Sequence, residues 1–317
     1  MIKVLCVGSI YVDINFLDFP CEHGLQIEEE AIGRDYEVKP GGSAPNFARF
    51  GKMLGLETIL AGKLGRDPLG KVLSKLMADS GVTLSLMEDE EELTNVGINF
   101  VAADGASVMA VAGSASRSLT EEWVSNAVDT HVEDVSHIYL GSAFKLPHLL
   151  PYFLTLTKKL TNSGVNIILD HGKVPMKISH ETRAQMRSLA GSADVYLPSR
   201  KEFLDLWEAD NLDAAAENVI NSGSGMSRVV IVKDGPAGAV GFSADGRTSI
   251  SAYNVPVRST VGAGDSFNAG FLRASTLGQS FEESIDFACA TSAVTISGAD
   301  PTITSVSAMR KCSRIYT

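Results

Sequence analysis

The residues best placed to do chemistry in this chain lie in one run, Ser259-Thr-Val-Gly262-Ala263-Gly264-Asp265-Ser266-Phe267. Two glycines and an alanine lead straight into a carboxylate. Phe267, Phe271, Ala274 and Leu277 follow at helical spacing, which predicts a helix beginning at or near Gly264. A glycine-rich turn at a helix start leaves backbone N–H groups free, and the helix dipole adds partial positive charge there. Such a turn is a seat for phosphate. A carboxylate repels a resting phosphate, so Asp265 needs a second job. The natural one is to take a proton from a hydroxyl that attacks the phosphorus. Asp is also a favoured cap residue, and Gly-Ala-Gly also makes an ordinary tight loop. The turn alone does not choose between these readings.

Other polar constellations surround it. Gly8-Ser-Ile-Tyr-Val-Asp13-Ile-Asn15 places Asp13 and Asn15 just after an apolar first strand. Ligands of open α/β sheets sit beyond the carboxyl ends of strands, so both could bond the hydroxyls of a polyol; both also suit a turn. In Pro40-Gly41-Gly42-Ser43-Ala44-Pro45-Asn46, two glycines before a helix allow close approach of a ligand, and Asn46 falls in the first turn. Asp67 is accounted for as a helix cap. Val232-Lys233-Asp-Gly235-Pro-Ala-Gly238 follows a buried strand but leads into another strand, which makes it a weak phosphate loop. The Walker pattern, H-E-x-x-H and G-x-S-x-G are all absent. His171, just past an apolar strand, reads as a turn residue.

These residues need a frame to position them. Strand-like segments at 3–7, 58–61, 137–140, 165–169, 193–197 and 229–232 alternate with helix-like ones at 44–54, 68–80, 120–129, 149–162, 202–208 and 213–221. Apolar strands alternating with helices predict an α/β fold with a mostly parallel central sheet covered on both faces. Two stretches break the rhythm, 16–39 and 95–111. The second reads as a hairpin around Asp104-Gly105. A further strand pair flanks Asp245-Gly246.

The chain has 317 residues, 44% hydrophobic and 21% charged, with net charge −11. That charge disfavours nucleic acid or an anionic membrane surface as the main partner. The four cysteines, Cys6, Cys21, Cys289 and Cys312, form no Cys-x-x-Cys pair and suit a reducing cytoplasm. No apolar run approaches the ~20 residues needed to span a bilayer, and the short apolar start reads as a strand rather than a signal peptide.

Together these segments resemble the ribokinase-like (PfkB) carbohydrate kinase family. The likeness rests on Gly41-Gly42-x-x-x-Asn46-x-Ala48, Thr260-Val-Gly262-Ala263-Gly264-Asp265, Asp13, Gly65-x-Asp67-x-x-Gly70 and Lys233-x-Gly235-x-x-Gly238, and it covers nearly the whole chain. It implies a single ribokinase-like domain over 1–317, a three-layer α/β/α fold with a small β-sheet lid from about 16–39 and 95–111. It also implies an ATP- and Mg²⁺-dependent kinase acting on a hydroxymethyl group of a sugar or nucleoside. Asp265 would be the base, with Gly262, Ala263 and Gly264 as the anion hole. Asp13, Asn15, Gly41, Gly42 and Asn46 would bind substrate. Lys233, Gly235, Gly238, Ser199 and Cys289 would lie on the nucleotide side, and Glu202 on the magnesium side. The lid often pairs two subunits, which implies a homodimer. Three departures stand out. Ser259 replaces an Asp that often belongs to a monovalent-cation site, which leaves potassium activation open. Ser199 and Cys289 each replace an Asn that touches nucleotide. The departures also leave room for a binding protein on this fold that no longer catalyses. The absence of Lys after the Gly-Gly pair favours an unphosphorylated acceptor, and Arg34, Lys39 or Arg49 could still reach an anionic group on it.

Overall fold

The first strand, β1 (Lys3–Gly8), shows how the molecule is layered. Leu5 and Val7 turn into one apolar cluster, Val4 and Cys6 into another, and all four are buried. A strand covered on both faces belongs inside a parallel sheet. The computed structural model describes residues 2–19, 33–102, 107–160, 163–222 and 229–315. The remaining strands are β2 (Tyr11–Leu17), β3 (Asp35–Gly41), β4 (Glu57–Gly65), β5 (Thr83–Asp89), β6 (Asn95–Val101), β7 (Ser107–Ala112), β8 (His137–Gly141), β9 (Asn166–Asp170), β10 (Val195–Tyr196), β11 (Val229–Lys233), β12 (Ala239–Ser243) and β13 (Gly246–Ile250). The helices are α1 (Ser43–Met53), α2 (Pro68–Asp79), α3 (Glu121–His131), α4 (Leu150–Leu160), α5 (His180–Ser192), α6 (Arg200–Trp207), α7 (Leu212–Ser222), α8 (Ala263–Thr276), α9 (Phe281–Ile296) and α10 (Ile303–Met309).

The large sheet runs β13-β12-β11-β10-β9-β8-β1-β4-β5. It is parallel from β11 to β5, and β12 and β13 add an antiparallel edge. Helices α3 to α7 bury their apolar stripes on one face, and α1, α2 and α8 to α10 on the other. This is the ribokinase-like α/β arrangement expected. The local signals act as sequence chemistry dictates. The Asp67 carboxylate accepts from Gly70 N at 2.8 Å and caps α2, which opens with Pro68.

A second sheet, β3-β2-β6-β7, stands apart from the first. Its β2 begins at Tyr11, only two residues past β1, so Asp13 and Asn15 are mid-strand residues and not turn residues. Cys21, most of the 16–39 stretch and the Asp104-Gly105 turn lie outside the described residues. Among the described residues no helix is long and apolar enough to cross a membrane.

Candidate active site

Strand order places the site. From β1 the chain builds outward to β4 and β5, then returns to β8 on the other side of β1. The crevice beyond the carboxyl ends of β1 and β8 is therefore a switch point, where open α/β sheets take ligands. Gly8 and Gly141 end those strands as register partners. A Cβ on Gly8 would lie 2.5 Å from the Gly141 carbonyl oxygen and 2.9 Å from Ala44 Cβ. Bare backbone at this level lets α1 begin directly over the crevice.

The start of α8 comes to the same place. Gly262 takes φ +78°, a left-handed conformation that favours glycine. The Ala263 N–H is engaged by the Thr260 carbonyl at 3.2 Å, and Ser266 N–H by Gly262 O at 2.9 Å. The N–H groups of Gly262, Gly264 and Asp265 meet no acceptor among the described residues. Of the three N–H groups in the expected trio, that of Ala263 is bonded here, and the neighbouring N–H of Asp265 is open.

Asp265 lies in the first turn of α8, and Asn46 Nδ2 on α1 donates to its Oδ2 at 2.9 Å. Burial pushes the Asp265 carboxyl up to about 7, and the Asp170 charge adds to this. Hydrogen bonds from Asn46 and Ser43, and the Lys233 ammonium, offset only part of it. A carboxylate tuned near neutral pH accepts a proton far better than one at the ordinary value.

Behind the turn lies a polar cluster that sequence reasoning did not assemble. Lys233 Nζ donates to Asp170 Oδ2 at 2.9 Å and Asn268 Oδ1 at 3.2 Å. Asn268 Nδ2 donates to Asp170 Oδ2 at 2.7 Å and to the Tyr139 hydroxyl at 3.1 Å. Burial opposes both charges of the ion pair. Lys233 nonetheless holds Asp170 below the usual carboxylate range, while Asp170 and Glu202 hold Lys233 above its own. A Cβ on Gly264 would stand 3.5 Å from Lys233 Nζ, so the ammonium sits against the α8 turn. Asp170 ends an apolar strand at the carboxyl edge of the sheet. That signal was available in the sequence; the position of Asn268 one turn into α8 was not.

Asp13 and Asn15 face a cavity of about 140 Å³ whose walls include Asn46, Arg49, Lys39 and Gly262. Asp13 is 4% exposed, and its Oδ1 has no hydrogen-bond partner among the described residues. Burial pushes its carboxyl up to about 6. Its neighbours have no side chains to give it room trouble: a Cβ at Gly41 would lie 2.1 Å from Asp13 Cγ, and one at Gly97 would lie 2.5 Å from Oδ1. Asn99, register partner of Asn15 on β6, donates through Nδ2 to Asn15 Oδ1 at 2.8 Å. Asn15 is left with its amide N–H groups to offer.

The other expected residues fall differently. Ser199 and Glu202 form a capping box at the start of α6, with Ser199 N donating to Glu202 Oε2 at 2.8 Å. Ser199 pairs with Lys233 across an isolated bridge, which brings α6 beside the cluster. Gly238 takes φ +97° in the turn from β11 to β12, where a Cβ would lie 1.9 Å from Ile250 O; its glycine serves the turn. Gly235 opens on free space. Cys289 is buried among the apolar side chains of the α8–α9 face, and burial pushes its thiol up to about 12. It is 6% exposed. Among the described residues no three His, Cys, Asp or Glu side chains form a metal cluster.

Comparison with known proteins finds relatives over nearly the whole chain. The family model for pfkB family carbohydrate kinase matches residues 1–308. A 5-dehydro-2-deoxygluconokinase from Listeria monocytogenes is 26% identical over 301 residues, covering 93% of this chain and 90% of the relative. An Escherichia coli structure in complex with ATP and Mg²⁺ superposes with a TM-score of 0.80 at 21% identity, covering 98% of this chain and 99% of that one. The Arabidopsis thaliana ribokinase complexed with ribose and ATP gives 0.78 at 23% identity, with 98% and 99% covered. With a family match over residues 1–308 and a ribokinase-type fold, this chain belongs to the pfkB family of carbohydrate kinases.

Proposed function

We propose that the protein transfers the γ-phosphoryl group of ATP to a hydroxymethyl group of a sugar. Asp265 accepts the hydroxyl proton, the freed oxygen bonds to the γ-phosphorus, and the bond to the bridging oxygen breaks so that ADP leaves. The N–H groups of Gly262, Gly264 and Asp265 face the charge that develops on the transferring group. Lys233, backed by Asp170, adds a fixed positive charge there. The base and the donors each supply on the order of a hundredfold or more in rate. Asp13 accepts from acceptor hydroxyls and Asn15 donates to them. Magnesium held mainly by phosphate oxygens needs only one or two protein carboxylates, and Glu202 has one oxygen outside its capping bond.

The observation that carries this reading is the Asn46–Asp265 hydrogen bond, 2.9 Å between α1 and α8. It supports a base held between a phosphate-seating turn and the cavity lined by Asp13. We read the chain as one domain, with the small sheet as its lid. That sheet exposes Tyr36, Val108, Met109 and Val111, which supports pairing of two protomers through it. The named relatives span a gluconate-type acid and ribose, so their names do not choose the acceptor. The test is ATP consumption over a panel of pentoses, hexoses, sugar acids and nucleosides, with and without K⁺. Acceptor-dependent turnover with a sugar or sugar acid is expected. Turnover with nucleosides alone, or with none of the panel, overturns the reading.

A further inference from the structure

One charged side chain in the acceptor cavity has no role in the chemistry above. Arg49 lies on α1, one turn beyond Asn46, and lines the same cavity as Asp13 and Asn15. Its guanidinium lies over the Phe50 ring, 4.4 Å from the centroid. Its Nε is buried and has no hydrogen-bond partner among the described residues. Asp300 and Asp265 act on it through space, and no ion pair joins Arg49 to a described residue. Burial weighs against its charge. A partly buried guanidinium with open donors is costly unless something accepts from it.

We propose that Arg49 receives a carboxylate on the acceptor, so that the substrate is a sugar acid. This deepens the kinase reading and rests on it for the identity of the cavity. The planar fork of Arg matches a carboxylate with two parallel hydrogen bonds, and the Phe50 ring lies against the guanidinium. The charge balance of the walls favours a carboxylate over a phosphate. Asp13, Glu37 and Asp300 are acidic, and Lys39 is taken up by its ion pair with Glu37. Arg49 is the one wall cation without an ion pair among the described residues. One guanidinium neutralises one carboxylate; a phosphate, carrying about −1.5 to −2, would leave charge uncompensated beside three carboxyl groups. Hydroxyl recognition by Asp13 and Asn15 at one wall and acid recognition by Arg49 at the other would grip an extended polyol acid at both ends.

The test is calorimetric titration without nucleotide, using D-gluconate, 2-dehydro-3-deoxy-D-gluconate, D-glucose, D-fructose and D-fructose 6-phosphate as probes. The native protein is expected to bind at least one of the acids about tenfold or more tightly than the neutral sugars. Arg49→Met is expected to erase that preference, and Arg49→Lys to recover only part of it. Equal binding of acids and neutral sugars, no binding of any acid, or a preference for the sugar phosphate overturns the proposal. So does a folded Arg49→Met protein that keeps the preference. If Arg49→Met fails to fold, the native comparison and Arg49→Lys decide. Binding of an acid without any ATP consumption would sink the kinase reading and leave this one standing, so the two failures are distinguishable.

Discussion

Replacing Asp265 by Asn should both stop turnover and stabilise the fold, and the size of the second effect follows from the site. Burial and the Asp170 charge move the carboxyl from 3.8 to about 7. Between those values the folded state keeps a proton that the unfolded chain has already released. Stability therefore falls as pH rises through that window and is level above it. At about 1.36 kcal/mol per pH unit, the contribution lost is about 4 kcal/mol. Asn has the same shape, carries no charge, and still offers an oxygen to the Asn46 amide. The variant should gain on the native protein steadily from about pH 4 to about pH 7, by up to about 4 kcal/mol, and hold that gain at higher pH. In melting temperature that is several degrees for a chain of this size. Parallel melts of the two proteins across this range measure it. Turnover of the variant should fall by about a hundredfold to ten-thousandfold. In the native protein kcat/KM should rise with pH and level off above about 7, since the base must be unprotonated. A variant that melts below the native protein at neutral pH, a melting difference that ignores pH, or near-native turnover would each refute the reasoning.

Two further perturbations probe the surroundings. Lys233→Met leaves the Asp170 charge buried without its partner, which costs about 3–5 kcal/mol in a melt. Pairing it with Asp170→Asn should restore the melting temperature but not the turnover, which separates the structural from the electrostatic part. Gly41→Ala would put a methyl group 2.1 Å from Asp13 Cγ. The carboxylate must move, so the acceptor KM should rise about tenfold or more while the KM for ATP stays put.

The sequence made the chemistry legible at one point and the frame almost everywhere. Gly262-Ala263-Gly264-Asp265 ran into an apolar period of helical spacing, and α8 begins at Ala263 as that period requires. The parallel strands announced themselves because β1, β8 and β9 are apolar on both faces. Weaker amphipathicity hid other elements. Helix α5 buries little beyond Met186, Leu189 and Ala190, and β5 is half-covered with polar residues along it, so neither stood out from a loop. Asp13 and Asn15 suit a turn as well as a polyol site in the sequence, because Ser9-Ile10 alone separates two strands that belong to different sheets. The Lys233–Asp170–Asn268 cluster and the Asn15–Asn99 bond could not be read at all. They join residues 63, 35 and 84 positions apart, and only the folded sheet order brings them together.

Asp13 stands between two strands that have surrendered their own side chains to make space for it. That arrangement constrains how acceptor preference can drift over evolutionary time. A mutation that enlarges Gly41 or Gly97 first collides with the carboxylate, and one that shortens Asp13 first opens a void between two bare backbones. The three positions must change in a particular order, passing through poorer intermediates. The wall on α1 obeys no such sequence beyond Asn46, which is tied to Asp265, because the other side chains there change without a paired strand to answer them. Diversification of substrate should thus accumulate on the helix while the strand side stays fixed.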